Sequence, residues 1–279
     1  VKKLVVLVVS LVIASGVMGG LAGASDRDLV EDIMEARSAV KKYANPTAQQ
    51  PDLTLAKAYD VQIELAKRTA ERGNAIAGFK AGLTSQGAQK KFGVEHALLG
   101  PLFEDGKLAP GTEVKRSAFV LPFVEAEIGY VVGTRITEPI ENVESLKSHI
   151  VSVFPAFELP DLRYSELKKL TAADIAADGV ASAKYVVGPA VKADSVDVSQ
   201  VHVTVSLDGS TVIEGKASDA LGDQWKALLW LVNGIIDKGW TIEPGQILIT
   251  GALGKMIPAK PGTYEADFGE LGKLSFTMK

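Results

Sequence analysis

The stretch Leu121–Val132, LPFVEAEIGYVV, decides how the chain is read, because it has a strand's period of two and carries two glutamates on one row. Val124, Ala126, Ile128, Tyr130 and Val132 form an apolar row. Glu125 and Glu127 lie on the other row, flanked by Phe123, Gly129 and Val131, so that row is not simply washed by solvent. Carboxylates at i and i+2 on one side of a strand repel each other unless positive charge lies between them. A lysine, a proton or a metal ion can supply it.

Further candidate strands surround this one. They are AIAGFKAGL (75–83), HIVSVFPAFEL (149–159), KYVVGPAV (184–191), VHVTVSLDG (201–209), GQILITG (245–251) and KLSFTMK (273–279). One helix interrupts them, DQWKALLWLVNGIIDKG (223–239), with Trp225, Leu228, Leu229, Val232 and Ile236 assigned to its apolar face. Regular strand–helix alternation is missing, which favours a mixed, mainly antiparallel β core with appended helices. Two helices precede it. Leu29, Ile33, Ala36 and Val40 give the first its stripe, and Leu55, Tyr59, Ile63 and Ala66 the second, with Gly73 and Asn74 as a stop. The expected organisation is an export signal over 1–24, a helical region over 25–74 and a catalytic body over 75–279.

Composition sets outer limits. The 279 residues are 47% hydrophobic and 23% charged, an ordinary globular balance, and the net charge of −4 gives no reason to expect nucleic acid as a partner. Lys2 and Lys3 precede an apolar run that stops near Gly16, and Ala22-Gly23-Ala24 precedes Ser25. That run falls short of the ~20 residues a spanning helix needs, and its flanks fit a secretory signal. Export with cleavage after Ala24, to the periplasm or beyond and with no stable membrane anchor afterwards, is the expectation. The chain has no cysteine, which excludes lipoprotein anchoring, zinc–thiolate sites and disulfides.

Three stretches can carry chemistry. Glu125 and Glu127, joined by Glu158 from FPAFELPDLR, are oxygen ligands suited to a hard cation; the bland alternative pairs them with lysines on a partly wetted sheet. Lys80 alternates with Gly78 and Gly82, small neighbours that let a substrate approach its ammonium group. Thr250 and Gly251 end a strand where backbone can bend round a ligand and a hydroxyl can meet a carboxylate. A tight turn with structural glycines explains the same residues. His96, His149 and His202 are scattered, without metal spacing.

In this order the segments GFKAGLTS, PFVEAEIGYVV, PAFELPDLR and GQILITGALG resemble the 2-hydroxypenta-2,4-dienoate hydratase and 4-oxalocrotonate decarboxylase family, within the fumarylacetoacetate hydrolase superfamily. The resemblance runs from about Asn45 to the C-terminus. It implies an α+β fold, a mixed and mainly antiparallel β-roll or sandwich with an N-terminal helical lobe, around Mg²⁺ or Mn²⁺. It implies Glu125, Glu127 and Glu158 as metal ligands, Lys80 as the active-site lysine, and an assembly of identical subunits. The chemistry implied is a lyase reaction on a small 2-oxo or 2-hydroxy carboxylic acid whose enolate the ion stabilises. A hydratase is expected. A decarboxylase or C–C hydrolase is the alternative within the class, and a silent carboxylic-acid binder the alternative outside it.

The chain departs from the family pattern at three places. Ala97-Leu98-Leu99-Gly100 stands where the family has an acid followed by an aromatic residue, with Glu95 and His96 as possible stand-ins. Gly222-Asp223-Gln224 replaces a G-H-P turn, and Asp178-Gly179-Val180-Ala181 lacks the Asn and Ser of a D-N-x-S segment.

Overall fold

The computed structural model describes residues 28–279, so the expected signal over 1–24 lies outside the described residues. Helix α1 (Leu29–Ser38) starts at Asp28, whose carboxylate accepts from the amides of Val30 and Glu31. After the short α2 (Pro46–Gln49), α3 (Leu55–Glu71) begins at the Thr54 cap, and Gly73 follows it at φ +91°. The buried stripe of α3 is Ala58, Tyr59, Gln62, Leu65 and Ala66, rotated from the expected Leu55–Tyr59–Ile63–Ala66 line. The cause is Gln62, which donates to the carbonyls of Leu99 (3.0 Å) and Ala176 (2.7 Å) and so takes the inward place of Ile63. Val40 is exposed beyond the end of α1.

The main sheet is built from β1 (Ile76–Gly82), β2 (Leu98–Phe103), β3 (Lys107–Leu108), β5 (Phe123–Val132), β6 (Ile150–Leu159), β7 (Lys184–Val187) and β11 (Ile247–Ile249). Their order is β2-β1-β11-β5-β6-β7-β3, with β8 (Val191–Lys192) on β6 and β12 (Ile257–Pro258) on β5. A second sheet runs β10-β9-β13-β14-β4, from β4 (Glu113–Val114), β9 (His202–Leu207), β10 (Ser210–Lys216), β13 (Gly262–Asp267) and β14 (Lys273–Met278). Among the described residues the β1–β11, β3–β7 and β4–β14 pairs are parallel and the other pairs antiparallel. This is the mixed, mainly antiparallel α+β architecture expected. Helices α4 (Gln86–Phe92), α5 (Val143–Lys147) and α6 (Ala172–Ala177) fill connections. The first of them buries no side chain and so has no apolar period to betray it.

The apolar row of β5 is inaccessible from Val124 to Val132 and joins the main core, with Tyr264 and Phe276 of the second sheet stacked at 4.9 Å. Helix α7 (Gln224–Asp237) buries Gln224, Ala227, Leu228, Leu231, Val232 and Ile235. That face is turned from the expected one, leaving Trp225, Leu229 and Ile236 partly exposed. Gln224 sets the rotation, since its amide donates to the Ala217 carbonyl at 2.8 Å. No helix among the described residues is long and apolar enough to cross a membrane.

Candidate metal centre

Strand register brings the carboxylates together. Glu125 on β5 lies directly opposite Glu158 on β6, and Glu127 lies opposite Ala156. Paired residues share a face of the sheet, so all three glutamates project from one side. On the other edge of β5, Gly129 pairs with Ile249 of β11, which pairs with Lys80 of β1. Lys80 thus stands two strands from β5, and its ammonium reaches Glu158 on β6. A Cβ at Gly129 would come within 2.2 Å of the Phe154 ring, so glycine there is a packing requirement.

One carboxylate oxygen from each of Glu125, Glu127 and Glu158 lies within 4.8 Å of the others. Glu127 and Glu158 are fully buried and Glu125 is partly exposed. The Lys80 ammonium donates to Glu158 Oε1 at 2.5 Å and to the Val180 carbonyl at 3.2 Å. The Gly251 amide donates to Glu127 Oε2 at 2.7 Å. Glu127 Oε1 and Glu158 Oε2 are buried with no hydrogen-bond partner. Buried carboxylate oxygens left unpaired are costly, and one ammonium against three carboxylates leaves two negative charges over. A hard divalent cation with oxygen ligands answers both deficits, so the donor set fits such an ion.

The electrostatics agree. Burial first, then the Glu158 charge, pushes Glu125 up to about 7, with Lys80 opposing. Glu127 is driven well above the ordinary range by burial, then by Glu158 and Glu125, against Lys80 and the Gly251 amide. For Lys80, burial works to lower the value, but the combined pull of Glu158, Glu125 and Glu127 raises it and keeps the ammonium charged.

Gly251 stands at the site with φ +103°, and a Cβ there would meet Thr84 at 2.5 Å. Thr250 is differently employed. Its hydroxyl donates to Gln224 Oε1 at 2.7 Å, an oxygen that also accepts from Tyr130 at 3.2 Å. The threonine thus ties β11 to the start of α7, while its neighbour faces the carboxylates. Leu98 pairs with Gly82 and Gly100 with Lys80, so Leu98 is buried on the lysine's face and offers no proton. Glu95 and His96 are exposed, before the strand begins. The residue that sequence reasoning missed is Val180, since nothing in its side chain announces a carbonyl aimed at a lysine.

The fumarylacetoacetate (FAA) hydrolase C-terminal family model matches residues 104–279. The chain is 31% identical over 242 residues to a 4-oxalocrotonate decarboxylase of a Pseudomonas species, covering 86% of this chain and 93% of the relative. It is 29% identical to a 2-keto-4-pentenoate hydratase of Paraburkholderia xenovorans (strain LB400), covering 88% and 92%. The 4-oxalocrotonate decarboxylase of Pseudomonas putida G7, solved in complex with magnesium and adipate, superposes with a TM-score of 0.85 at 29% identity, over 90% of this chain and 95% of that one. With the family model matched over residues 104–279 and a relative 31% identical over most of its length, the chain belongs to the fumarylacetoacetate hydrolase C-terminal family.

Proposed function

We propose that the protein is a divalent-metal-dependent lyase of the 2-keto-4-pentenoate hydratase type, acting on a small 2-oxo or 2-hydroxy carboxylic acid. The observation that carries this reading is the convergence of Glu125, Glu127 and Glu158 beside Lys80, with two buried carboxylate oxygens lacking partners. The fold shared with a magnesium-bound decarboxylase supports it. The glutamates would hold Mg²⁺ or Mn²⁺. When bound, the ion supplies positive charge to oppose the negative charge that develops on a 2-oxo oxygen as a neighbouring bond breaks.

The chain's own residues do the rest. Lys80, with an ammonium held by Glu158 and Val180, keeps one of its three donors for a substrate oxygen and can pass a proton there. The Gly251 amide holds Glu127 in place, and its lack of a side chain lets Thr84 pack against that turn. Burial of Lys80, Glu127 and Glu158 excludes bulk water and strengthens each of these contacts. We further propose that the chain is exported, on the strength of the basic, apolar and small-residue pattern of residues 1–24.

Decarboxylation is the second reading, favoured by one feature. Leu98 and Val180 form an apolar wall on the Lys80 side, and β2 brings no acid there to serve an attacking water. Such a wall desolvates a departing carboxylate, which favours loss of CO₂. Ultraviolet absorbance of 2-hydroxydienoates and 2-oxo acids mixed with Mn²⁺-loaded protein tests both readings. Loss of the conjugated band without CO₂ marks a hydratase, and release of CO₂ marks a decarboxylase. Failure of any 2-oxo acid to exchange C3 protons for deuterium above the rate with free Mn²⁺ would defeat the enzyme reading.

A further inference from the structure

Gly179, Val180 and Ala181 follow one another at φ +60°, +58° and +56°. A valine in the left-handed region is strained, because its branched Cβ crowds the following carbonyl. Successive non-glycine residues hold that conformation only where their surroundings fix it. Here the Val180 amide donates to Ile175 O at 2.9 Å and that of Gly179 to Ala176 O at 3.0 Å, closing the end of α6. The Asp161 amide donates to Ala181 O at 3.0 Å. Asp178, next in line, is gripped by Arg37 through its carboxylate at 2.9 and 3.1 Å and its carbonyl at 2.7 Å.

What the strained turn presents to the site is specific. Its Val180 carbonyl accepts from the Lys80 ammonium at 3.2 Å. Its Val180 isopropyl group occupies the room left by Gly82 and Gly100, the glycines beside and across from Lys80. A Cβ on Gly82 would lie 2.4 Å from Val180 Cγ1, and one on Gly100 would lie 2.5 Å from the Gly179 carbonyl oxygen and 3.1 Å from Val180 Cγ2. A helix end alone requires neither feature, and glycine at position 180 would close α6 without strain.

We propose that Val180 is a positioning residue for Lys80: its left-handed backbone turns a carbonyl onto the ammonium, and its isopropyl group seals that ammonium from water. With Glu158 and Val180 occupying two of the three N–H donors, the lysine has one orientation and one donor to spare. The proposal rests on reading Lys80 as an active-site group, and its test is arranged to separate the two.

The first measurement needs no activity. Lys80 is the only buried lysine among the described residues, so in metal-free protein labelled with ¹⁵N-lysine its ammonium protons exchange with water slowest. The signal is identified by its absence from Lys80→Met. Val180→Gly relieves the backbone strain and removes the seal. Val180→Asn keeps a residue that tolerates the left-handed region but admits water. Both should speed exchange tenfold or more while near-ultraviolet circular dichroism stays native. Gly82→Ala, which collides with Val180 Cγ1, should do the same, and Gly82→Ala with Val180→Ala should restore most of the protection, since the new methyl fills the vacated space. In Mn²⁺-loaded protein the Val180 variants should lower kcat about tenfold with KM within about twofold, because orientation is lost and binding is not. Natively folded Val180 variants with unchanged ammonium exchange, or a double variant no better protected than its parents, would overturn the proposal. A wild type that turns over no 2-oxo acid or dienoate overturns only the enzymatic reading, since the exchange measurement stands without it.

Discussion

Replacing Lys80 by methionine removes the ammonium that, among the described residues, pairs with Glu158 beside Glu125 and Glu127, and the effect can be sized. The pair is buried on both sides, with 3% and 0% of the two side chains accessible. Removing one partner of such a pair is strongly destabilising, by about 3–5 kcal/mol, because the other is left charged and unpaired. A stranded carboxylate can escape by binding a proton, which sets a ceiling. Neutralising an ordinary carboxylate costs about 5 kcal/mol at pH 8 and only about 2 kcal/mol at pH 6. Lys80→Met should therefore destabilise metal-free protein by about 3–5 kcal/mol at pH 8 and by about half as much at pH 6. For a chain of this size, 1 kcal/mol moves the melting midpoint by about 2–4 °C, so the expected drop at pH 8 is about 10 °C.

A divalent ion should reverse most of that drop, because it neutralises the charge the lysine left behind. Ligand at a hundredfold excess over its Kd stabilises the native state by about 2.7 kcal/mol. Melting curves of wild type and Lys80→Met, each with EDTA and with saturating Mg²⁺, at pH 6 and 8, give the whole comparison. Coincident midpoints in EDTA at pH 8 would refute the reasoning. So would a deficit that grows as the pH is lowered.

Three further outcomes are expected. Glu125→Ala, Glu127→Ala and Glu158→Ala should each weaken Mg²⁺ or Mn²⁺ binding tenfold or more by calorimetry, since a hard-cation site loses charge and a ligand together. Unchanged affinity in all three would end the metal assignment. Glu125 and Glu127 have raised values in the fold, so between the ordinary carboxylate range and about 7 the metal-free native state binds more protons than the unfolded state. Its stability should accordingly fall as pH rises through that window, while Mn²⁺ affinity climbs and each ion bound displaces protons, both readable by calorimetry in buffers of different ionisation enthalpy. Mass spectrometry of protein exported by its native host should find Ser25 at the N-terminus, and an intact leader there would contradict the export reading.

The placing of Glu125 and Glu127 on one face was legible in the sequence, and for a simple reason. Side-chain alternation in β5 is rigid, so an apolar row of Val124, Ala126, Ile128, Tyr130 and Val132 forces Glu125 and Glu127 together onto the opposite face. Helix rotation was less legible. In α3 and α7 a buried glutamine displaced the apolar stripe, because Gln62 and Gln224 find backbone carbonyls inside the protein that no periodicity reveals. Strand β2 escaped notice because Leu98–Phe103 is buried throughout and shows no alternation. Thr250 was legible as a polar residue at a turn, but the direction of its hydroxyl depends on Gln224 and Tyr130, both remote in sequence.

Val180 marks where residue-by-residue inference stops. A valine–alanine pair after a glycine has no propensity for the left-handed region, and local preference alone would place the chain elsewhere. What overrides it is tertiary: the Arg37 grip on Asp178, the bond from Asp161 to Ala181, and the room left by Gly82 and Gly100. Each of these partners is distant in the chain from residue 180, and each is ordinary by itself. Local preference and global structure disagree here because the segment's carbonyl serves the lysine rather than the helix it follows. Strain of this kind is tolerated where it holds a reacting group in place.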